Sequence, residues 1–295
     1  MRVVVAGSSG LIGTALVSGL RSAGHEVLRL VRRPATGPDE RRWDPEAGTI
    51  EAGALTGADA VVNLCGVGVG DKRWSGSYKQ EIRDSRNAPA EVLARAVGEH
   101  GVPSFLSASA VGYYGDGGST VLTERSPAGT GCLADVCVEW EASAAVAASS
   151  GARVLLLRTG LVLAPTGGLL GRLKPLYRLG LGGRLGDGRQ YFPWISLADE
   201  VAAIMHLLEH PTISGPVNLT GPSPVTNADF NRALGAALHR PAPWMVPGFA
   251  VRTLLGSFGR EGILAGQRAV PAVLQASGYT FRHPTVDSAM QAAVA

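Results

Sequence analysis

Three observations in this 295-residue sequence predict an α/β fold with a doubly wound parallel sheet and a smaller C-terminal lobe. A short apolar run, Val3 to Ala6, leads into glycines spaced three apart at Gly7, Gly10 and Gly13. Apolar residues Leu11, Ile12, Ala15, Leu16 and Leu20 then share one helical face. Strand-like runs alternate with helix-like stretches as far as residue 164, the order that brings strands together in parallel. From Pro165 the texture changes, and glycines and prolines crowd residues 165–193.

Taken in order, residues 1–13 read as strand, tight turn and helix start, and Gly24 fits the helix stop. Glu26 to Val31 reads as the second strand. Asp59 to Leu64 is a further strand, followed by Cys65-Gly66-Val67-Gly68. Residues 79–99 form a helix carrying Ile82, Leu93 and Val97. Pro103 to Ser107 begins another strand, Glu139 to Ala148 reads as helix, and Arg153 to Leu157 as a buried strand. A helix follows over 197–210. This pattern predicts a Rossmann-type domain over residues 1–164, to which 195–220 returns. Residues 165–194 and 221–295 make the smaller lobe, set over the carboxyl edge of the sheet where a substrate would meet it.

Composition narrows the class. Apolar residues make up 45% and charged residues 17%, as in an ordinary globular protein. No apolar run approaches the roughly 18 residues that span a bilayer, and the N-terminus lacks the signal-peptide form. A cytoplasmic protein without a membrane partner is expected. The cysteines Cys65, Cys132 and Cys137 are odd in number and lack zinc-type spacing. His206 and His210 share a helical face, but no Glu follows His206 and no third ligand is suggested, so no metal is expected. Arg29, Arg32, Arg33, Arg41 and Arg42 are interrupted by Asp39 and Glu40, and a net charge of +3 makes no nucleic-acid stripe. The expected partner is a small-molecule substrate of unspecified identity; a homodimer through helices stays open.

The glycine turn is where a dinucleotide's pyrophosphate binds. Gly7 lets the chain turn, Gly10 lets backbone N–H groups approach phosphate, and Gly13 lets helix and strand pack closely, with Ser9, Leu11 and Ile12 in the turn. At the end of the second strand an acidic residue accepts the 2′-hydroxyl of NAD, whereas a basic one accommodates the 2′-phosphate of NADP. Here Arg32 and Arg33 stand there, with no acid until Asp39, so NADP(H) is the expected cofactor.

The fingerprint Gly7-Ser8-Ser9-Gly10-Leu11-Ile12-Gly13 resembles that of the extended short-chain dehydrogenase/reductase superfamily. Three more segments resemble it: Asn63-Leu64-Cys65-Gly66, which the resemblance places along the cofactor; Ser107 through Gly115; and Arg158 through Leu163, near the nicotinamide. The match is closest to the YfcH-like epimerase branch, through Arg73-Trp74 with Lys79, Ile82, Ser85 and Arg86, Gly112 to Gly115, Trp140-Glu141, and Arg240-Pro241 through Phe281. It implies a cofactor set of Asn63, Leu64, Cys65, Gly66, Ser107 and Arg158 beside the glycine turn.

One departure bears on activity. The superfamily moves protons with a Tyr-x-x-x-Lys pair and orients the substrate oxygen with a serine, for which Ser109 fits. In register with Glu141, Leu133 stands in the place of that tyrosine and Cys137 in the place of the lysine. Three readings follow. Another residue supplies the proton, Tyr113 or Tyr114 before Lys79, Arg73 or Cys137; or water or substrate supplies it during an epimerase-type hydride transfer; or the chain is a non-catalytic NADP(H) redox sensor or scaffold. Arg73, Trp74, Gln190 and Trp194 are the candidate substrate contacts. Ser196 stands where the family has His in its Trp-Ile-His segment.

Overall fold

The computed structural model describes residues 1–294. In chain order its first half contains β1 (Arg2–Ala6), α1 (Leu11–Ser22), β2 (Glu26–Val31), β3 (Glu40–Asp44), β4 (Thr49–Ile50), β5 (Ala60–Asn63), α2 (Gly76–Glu99), β6 (Ser104–Ala110), β7 (Val121–Leu122), α3 (Cys132–Ala145) and β8 (Arg153–Thr159). Then come β9 (Leu161–Leu163), α4 (Gly168–Arg178), β10 (Gly183–Leu185), β11 (Tyr191–Phe192), β12 (Trp194–Ser196), α5 (Leu197–Glu209), β13 (Gly215–Leu219), β14 (Val225–Thr226) and α6 (Asn227–Ala237). The chain closes with β15 (Trp244–Val246), α7 (Gly248–Phe258), β16 (Arg268–Ala269), α8 (Ala272–Ala276) and α9 (Val286–Val294).

Eight strands form the main sheet in the order β13-β8-β6-β5-β1-β2-β3-β4, all parallel except the β3–β4 pair. The order reverses on either side of β1, which puts a crevice at the carboxyl ends of β1 and β5. Alternation along β1 explains why both faces are covered. Val4 and Ala6 join a core with Leu93, Phe105, Trp140 and Ala144, under α2 and α3. Val3 and Val5 join Leu16, Leu20, Ile204 and Leu207, under α1 and α5.

A third core, with Leu170, Tyr177, Trp194, Phe230, Leu234 and Met290, unites α4, α6 and α9 in the second lobe. Residues 268–281 pack toward the main sheet: β16 pairs with β7 in a separate two-stranded ladder, and Leu274 is fully buried in the α1/α5-side core. Apolar burial against β13 outweighs chain proximity to the second lobe. Two differences are local. The sequence reading omitted β3 and β4, whose arginine-rich pattern hides an edge strand. Helix α3 begins at Cys132, ahead of the expected Glu139. No described helix is long and apolar enough to cross a membrane.

Candidate cofactor and active site

The glycine turn is shaped by close approach. Gly7 has φ +77°, and a Cβ there would stand 2.7 Å from the Leu64 carbonyl carbon. A Cβ on Gly13 would stand 2.9 Å from Ser8 Cα, so any side chain would push α1 off β1. Gly10 caps α1 in extended geometry with no side-chain cap and no acid in the first turn. The N–H groups of that turn, those of Leu11 and Ile12 among them, therefore present an uncapped positive helix end to the crevice, with Ser9 exposed beside them.

At the end of β2 the two arginines part. Arg33 is spent: its guanidinium donates to both carboxylate oxygens of Glu40, at 2.8 and 2.6 Å. Hydrogen bonds from Arg33 and Thr36 hold the Glu40 carboxyl down at about 2. Arg32 is exposed, makes no ion pair among the described residues, and lies close enough to Cys65 to oppose the upward push of burial on its thiol, which still reaches about 12. Of the two arginines expected at a 2′-phosphate, Arg33 is thus held by the buried Glu40 and Arg32 is not.

Asn63 and Ser107 brace β5 against β6. Both are fully buried, Asn63 Nδ2 donates to Ser107 Oγ at 3.2 Å, and Asn63 Oδ1 accepts from Cys65 N at 3.2 Å. The chain then runs on through Leu64, Cys65 and Gly66 beyond the carboxyl end of β5.

A buried polar network lies at the ends of β6 and β8. Ser109 Oγ donates to Glu141 Oε1 at 2.6 Å. Arg158 donates to both Glu141 oxygens at 2.8 Å, to Tyr114 Oη at 3.0 Å and to the Glu124 carbonyl at 3.3 Å. Tyr114 Oη donates in turn to Asn218 Oδ1 at 2.7 Å, and Glu124 Oε1 accepts from Asn218 N and Val273 N. Burial pushes the Tyr114 phenol up, while Glu141 holds Arg158 protonated against desolvation. Ser109, Tyr114 and Arg158 are each at most 3% exposed. The network engages three of the residues singled out in the sequence. Ser109 is bound to Glu141, Tyr114 is bound to Arg158 and Asn218, and Arg158 braces Glu141. Tyr113 is different. Its ring lies 3.5 Å from the Arg158 guanidinium carbon, it is half-buried, and its hydroxyl has no hydrogen-bond partner among the described residues.

Leu133 and Cys137 both face Gly112 at the end of β6; a Cβ on Gly112 would be 3.4 Å from Leu133 Cβ and 3.7 Å from Cys137 Sγ. Burial pushes the Cys137 thiol up to about 12, so it is no thiolate at neutral pH.

On the substrate side, Trp74 Nε1 donates to Val69 O at 2.8 Å, its ring lies 5.5 Å from that of Phe258, and Lys79 Nζ lies 5.3 Å from it. Arg73 is exposed, next to the left-handed Gly256 in α7, with no ion pair among the described residues. The loop of residues 66–75 thus meets the second lobe, helped by Arg172 donating to Gly70 O and Asp71 Oδ1 at 2.5 Å. Gln190 and Trp194 fall elsewhere. Gln190 Nε2 ties its own loop to Leu185 O at 2.9 Å, and Trp194 is 1% exposed in the second core with Nε1 on Ser223 O at 3.1 Å. In this structure both side chains anchor their own segments. Ser196 caps α5 and lies 2.9 Å from His283 Nδ1, so an imidazole from the C-terminal segment stands beside the position where the family has one. His206 and His210 stack on each other, with His206 Nε2 on Ser277 Oγ.

Sequence reasoning passed over Glu124, used Glu141 only as a register mark and gave Asn218 a turn or cleft role. The signal for Glu141 was available: an acid beside Trp140, one turn from Cys137, on a helix face otherwise made of small and apolar residues.

The fold and this crevice define an NAD(P)-type dinucleotide-binding protein of the extended short-chain dehydrogenase/reductase class. The chain belongs to the NAD dependent epimerase/dehydratase family, whose model matches residues 3–219; a domain of unknown function, DUF1731, matches 246–293. It is similar to epimerase family protein Mb2239 of Mycobacterium bovis, 54% identical over 98% of this chain and 96% of the relative. Human epimerase family protein SDR39U1 (isoform 2), whose crystal structure contains NADPH, superposes with a TM-score of 0.91 at 34% identity, covering 100% of this chain and 99% of that one. A nucleoside-diphosphate sugar epimerase from Corynebacterium glutamicum gives a TM-score of 0.83 at 36% identity, over 100% of this chain and 58% of that one.

Proposed function

We propose that this chain binds NADP(H) and acts as an epimerase-type oxidoreductase on a hydroxyl or carbonyl carbon of a nucleotide-sugar-like substrate. The observation that carries the reading is the pairing of an unspent cation, Arg32, at the end of β2 with an unspent phenol, Tyr113, at the end of β6. The NADPH in the human relative's structure supports the choice of cofactor, and the Corynebacterium relative supports the substrate class. The residues fit a dinucleotide: Gly7 and Gly13 allow the tight packing of the turn against Leu64 and Ser8 that only glycine permits, and the end of α1 is uncapped.

When bound, NADP(H) supplies or accepts a hydride at the nicotinamide. The first turn of α1 receives the pyrophosphate and Arg32 the 2′-phosphate. Tyr113 gives its hydroxyl proton to the carbonyl oxygen as hydride reaches the carbonyl carbon, and takes it back in the reverse direction. Trp74 and Phe258 exclude water, and Arg73 meets an anionic group of the substrate.

A second reading, a non-catalytic NADP(H) redox sensor, is favoured by Leu133 and Cys137 standing in place of the proton-transfer pair. Incubating the protein with NADPH deuterated at nicotinamide C4 and a metabolite extract separates the two. Label in a metabolite, absent with boiled protein, supports the enzyme. Tight binding without transfer supports the sensor.

A further inference from the structure

Arg86 carries a charge that the rest of the chain leaves unbalanced. It sits on α2, and no described carboxylate pairs with it, whereas Arg83 on the same helix pairs with Glu139 at 2.8 Å. Its guanidinium donates from Nη1 to Ile82 O at 3.0 Å and Ser85 Oγ at 3.4 Å, and from Nη2 to Val67 O at 3.0 Å. Of the five N–H groups a guanidinium offers, these use three. The group is wedged between two parts of the crevice. A Cβ on Gly66 would stand 3.2 Å from Arg86 Cζ, and Arg86 Cζ lies 5.2 Å from the Trp140 ring on α3. Cys137, one turn before Trp140, is close enough to feel the charge, and Gly112, in the turn after β6, packs against Cys137.

Arg86 is part-buried, and a partly desolvated cation without a counter-ion is a charge that a ligand can use. The other cations considered above do not do the same work. Arg158 is neutralised by Glu141, and Arg32 stands by a 2′-phosphate that is identical in NADPH and NADP⁺.

We propose that Arg86 sets the redox preference of the site: its fixed positive charge favours the neutral dihydronicotinamide of NADPH over the positive pyridinium of NADP⁺. The proposal rests on the cofactor reading above. Like charges within one desolvated corner repel, and the repulsion exists in one oxidation state only.

Calorimetric titration of the full chain with NADPH and with NADP⁺ tests it, using the wild type, Arg86→Met and Arg86→Lys. The wild type and the lysine variant bind NADPH on the order of tenfold more tightly than NADP⁺, and in the methionine variant the ratio falls to about twofold or less. A purely structural role for Arg86 would weaken both forms equally and leave the ratio intact, which overturns the proposal. A wild-type ratio near one overturns it as well, and needs no variant to fold. If the wild type binds neither form, the cofactor reading falls and this proposal with it; binding of both at equal affinity removes the proposal alone.

Discussion

Removing the Glu141 carboxylate by Glu141→Gln puts the buried network to a quantitative test. Glu141 accepts three short hydrogen bonds, one from Ser109 and two from Arg158, and Arg158 is 3% exposed. The variant keeps the shape but leaves a guanidinium buried without its counter-charge, a loss of ~3–5 kcal/mol. An unfolding entropy of ~2.1 cal/mol/K per residue over 295 residues is about 0.6 kcal/mol/K, so the melting temperature falls by ~5–8 °C. The informative comparison is the double-mutant cycle. Arg158→Met alone strands the carboxylate and costs a similar amount, while Arg158→Met with Glu141→Met removes both charges together. That double variant should recover most of the loss, leaving a deficit of about 1–2 kcal/mol from the orphaned Ser109 hydroxyl and the lost donors to Tyr114 Oη and the Glu124 carbonyl. Calorimetric unfolding of the four proteins gives the coupling directly. If the two single losses simply add in the double variant, the residues are not an electrostatic unit and the description of this network is wrong.

Three further outcomes are expected. Arg32→Ala should weaken NADPH binding by tenfold or more (about 1.5–3 kcal/mol for a charge-assisted contact) with little effect on NADH, while Arg33→Ala should lower the melting temperature and leave the preference intact; equal losses for both nucleotides in Arg32→Ala would place the 2′-phosphate elsewhere. Tyr113→Phe should abolish deuterium transfer without a change in melting temperature, whereas Tyr114→Phe should lower stability by about 1 kcal/mol or more through its buried bonds to Arg158 and Asn218. Glu200 is fully buried with Thr159 donating to Oε1 at 2.8 Å and Oε2 unpartnered, and burial raises its carboxyl from 4.5 to about 8. The folded state therefore holds a proton that the unfolded state releases. This contribution to stability is complete below pH 4.5 and is lost as pH rises through about 8, by up to ~1.4 kcal/mol per pH unit. Glu200→Gln should flatten the melting temperature against pH across that window, and an unchanged slope would refute the assignment.

The parts legible in the sequence are those written in short-range pattern. Val3–Ala6 with Gly7, Gly10 and Gly13 specifies strand, turn and helix within one stretch, and the run of strands after it specifies a parallel sheet. The lost parts depend on contacts the pattern does not encode. Arg32 and Arg33 are neighbours in the chain and equivalent in composition; Glu40, which separates their roles, sits on an edge strand whose sequence shows no apolar alternation. Trp194 reads as a cleft aromatic, yet its ring fills the core between β12 and α6 because α9, from the far end of the chain, packs over it.

Ser109 shows why the catalytic corner resisted sequence reasoning most. A serine a few residues before a Tyr-Gly pair is the same signal whether its hydroxyl faces substrate or a buried carboxylate. Strand alternation decides which, and on β6 Ser107 and Ser109 fall on the face under α2 and α3, with Phe105. There Glu141 was waiting, and through Arg158 it ties Ser109 to Tyr114 and so to Asn218, a residue 104 positions further on. Each bond in that chain consumes a group that chemistry would otherwise use. What the network leaves available is Tyr113, resting its ring on Arg158 with its hydroxyl unspent. Buried hydrogen bonding thus rigidifies the platform and leaves the Tyr113 phenol at its rim, which is why the proposed epimerase reading assigns proton transfer to Tyr113.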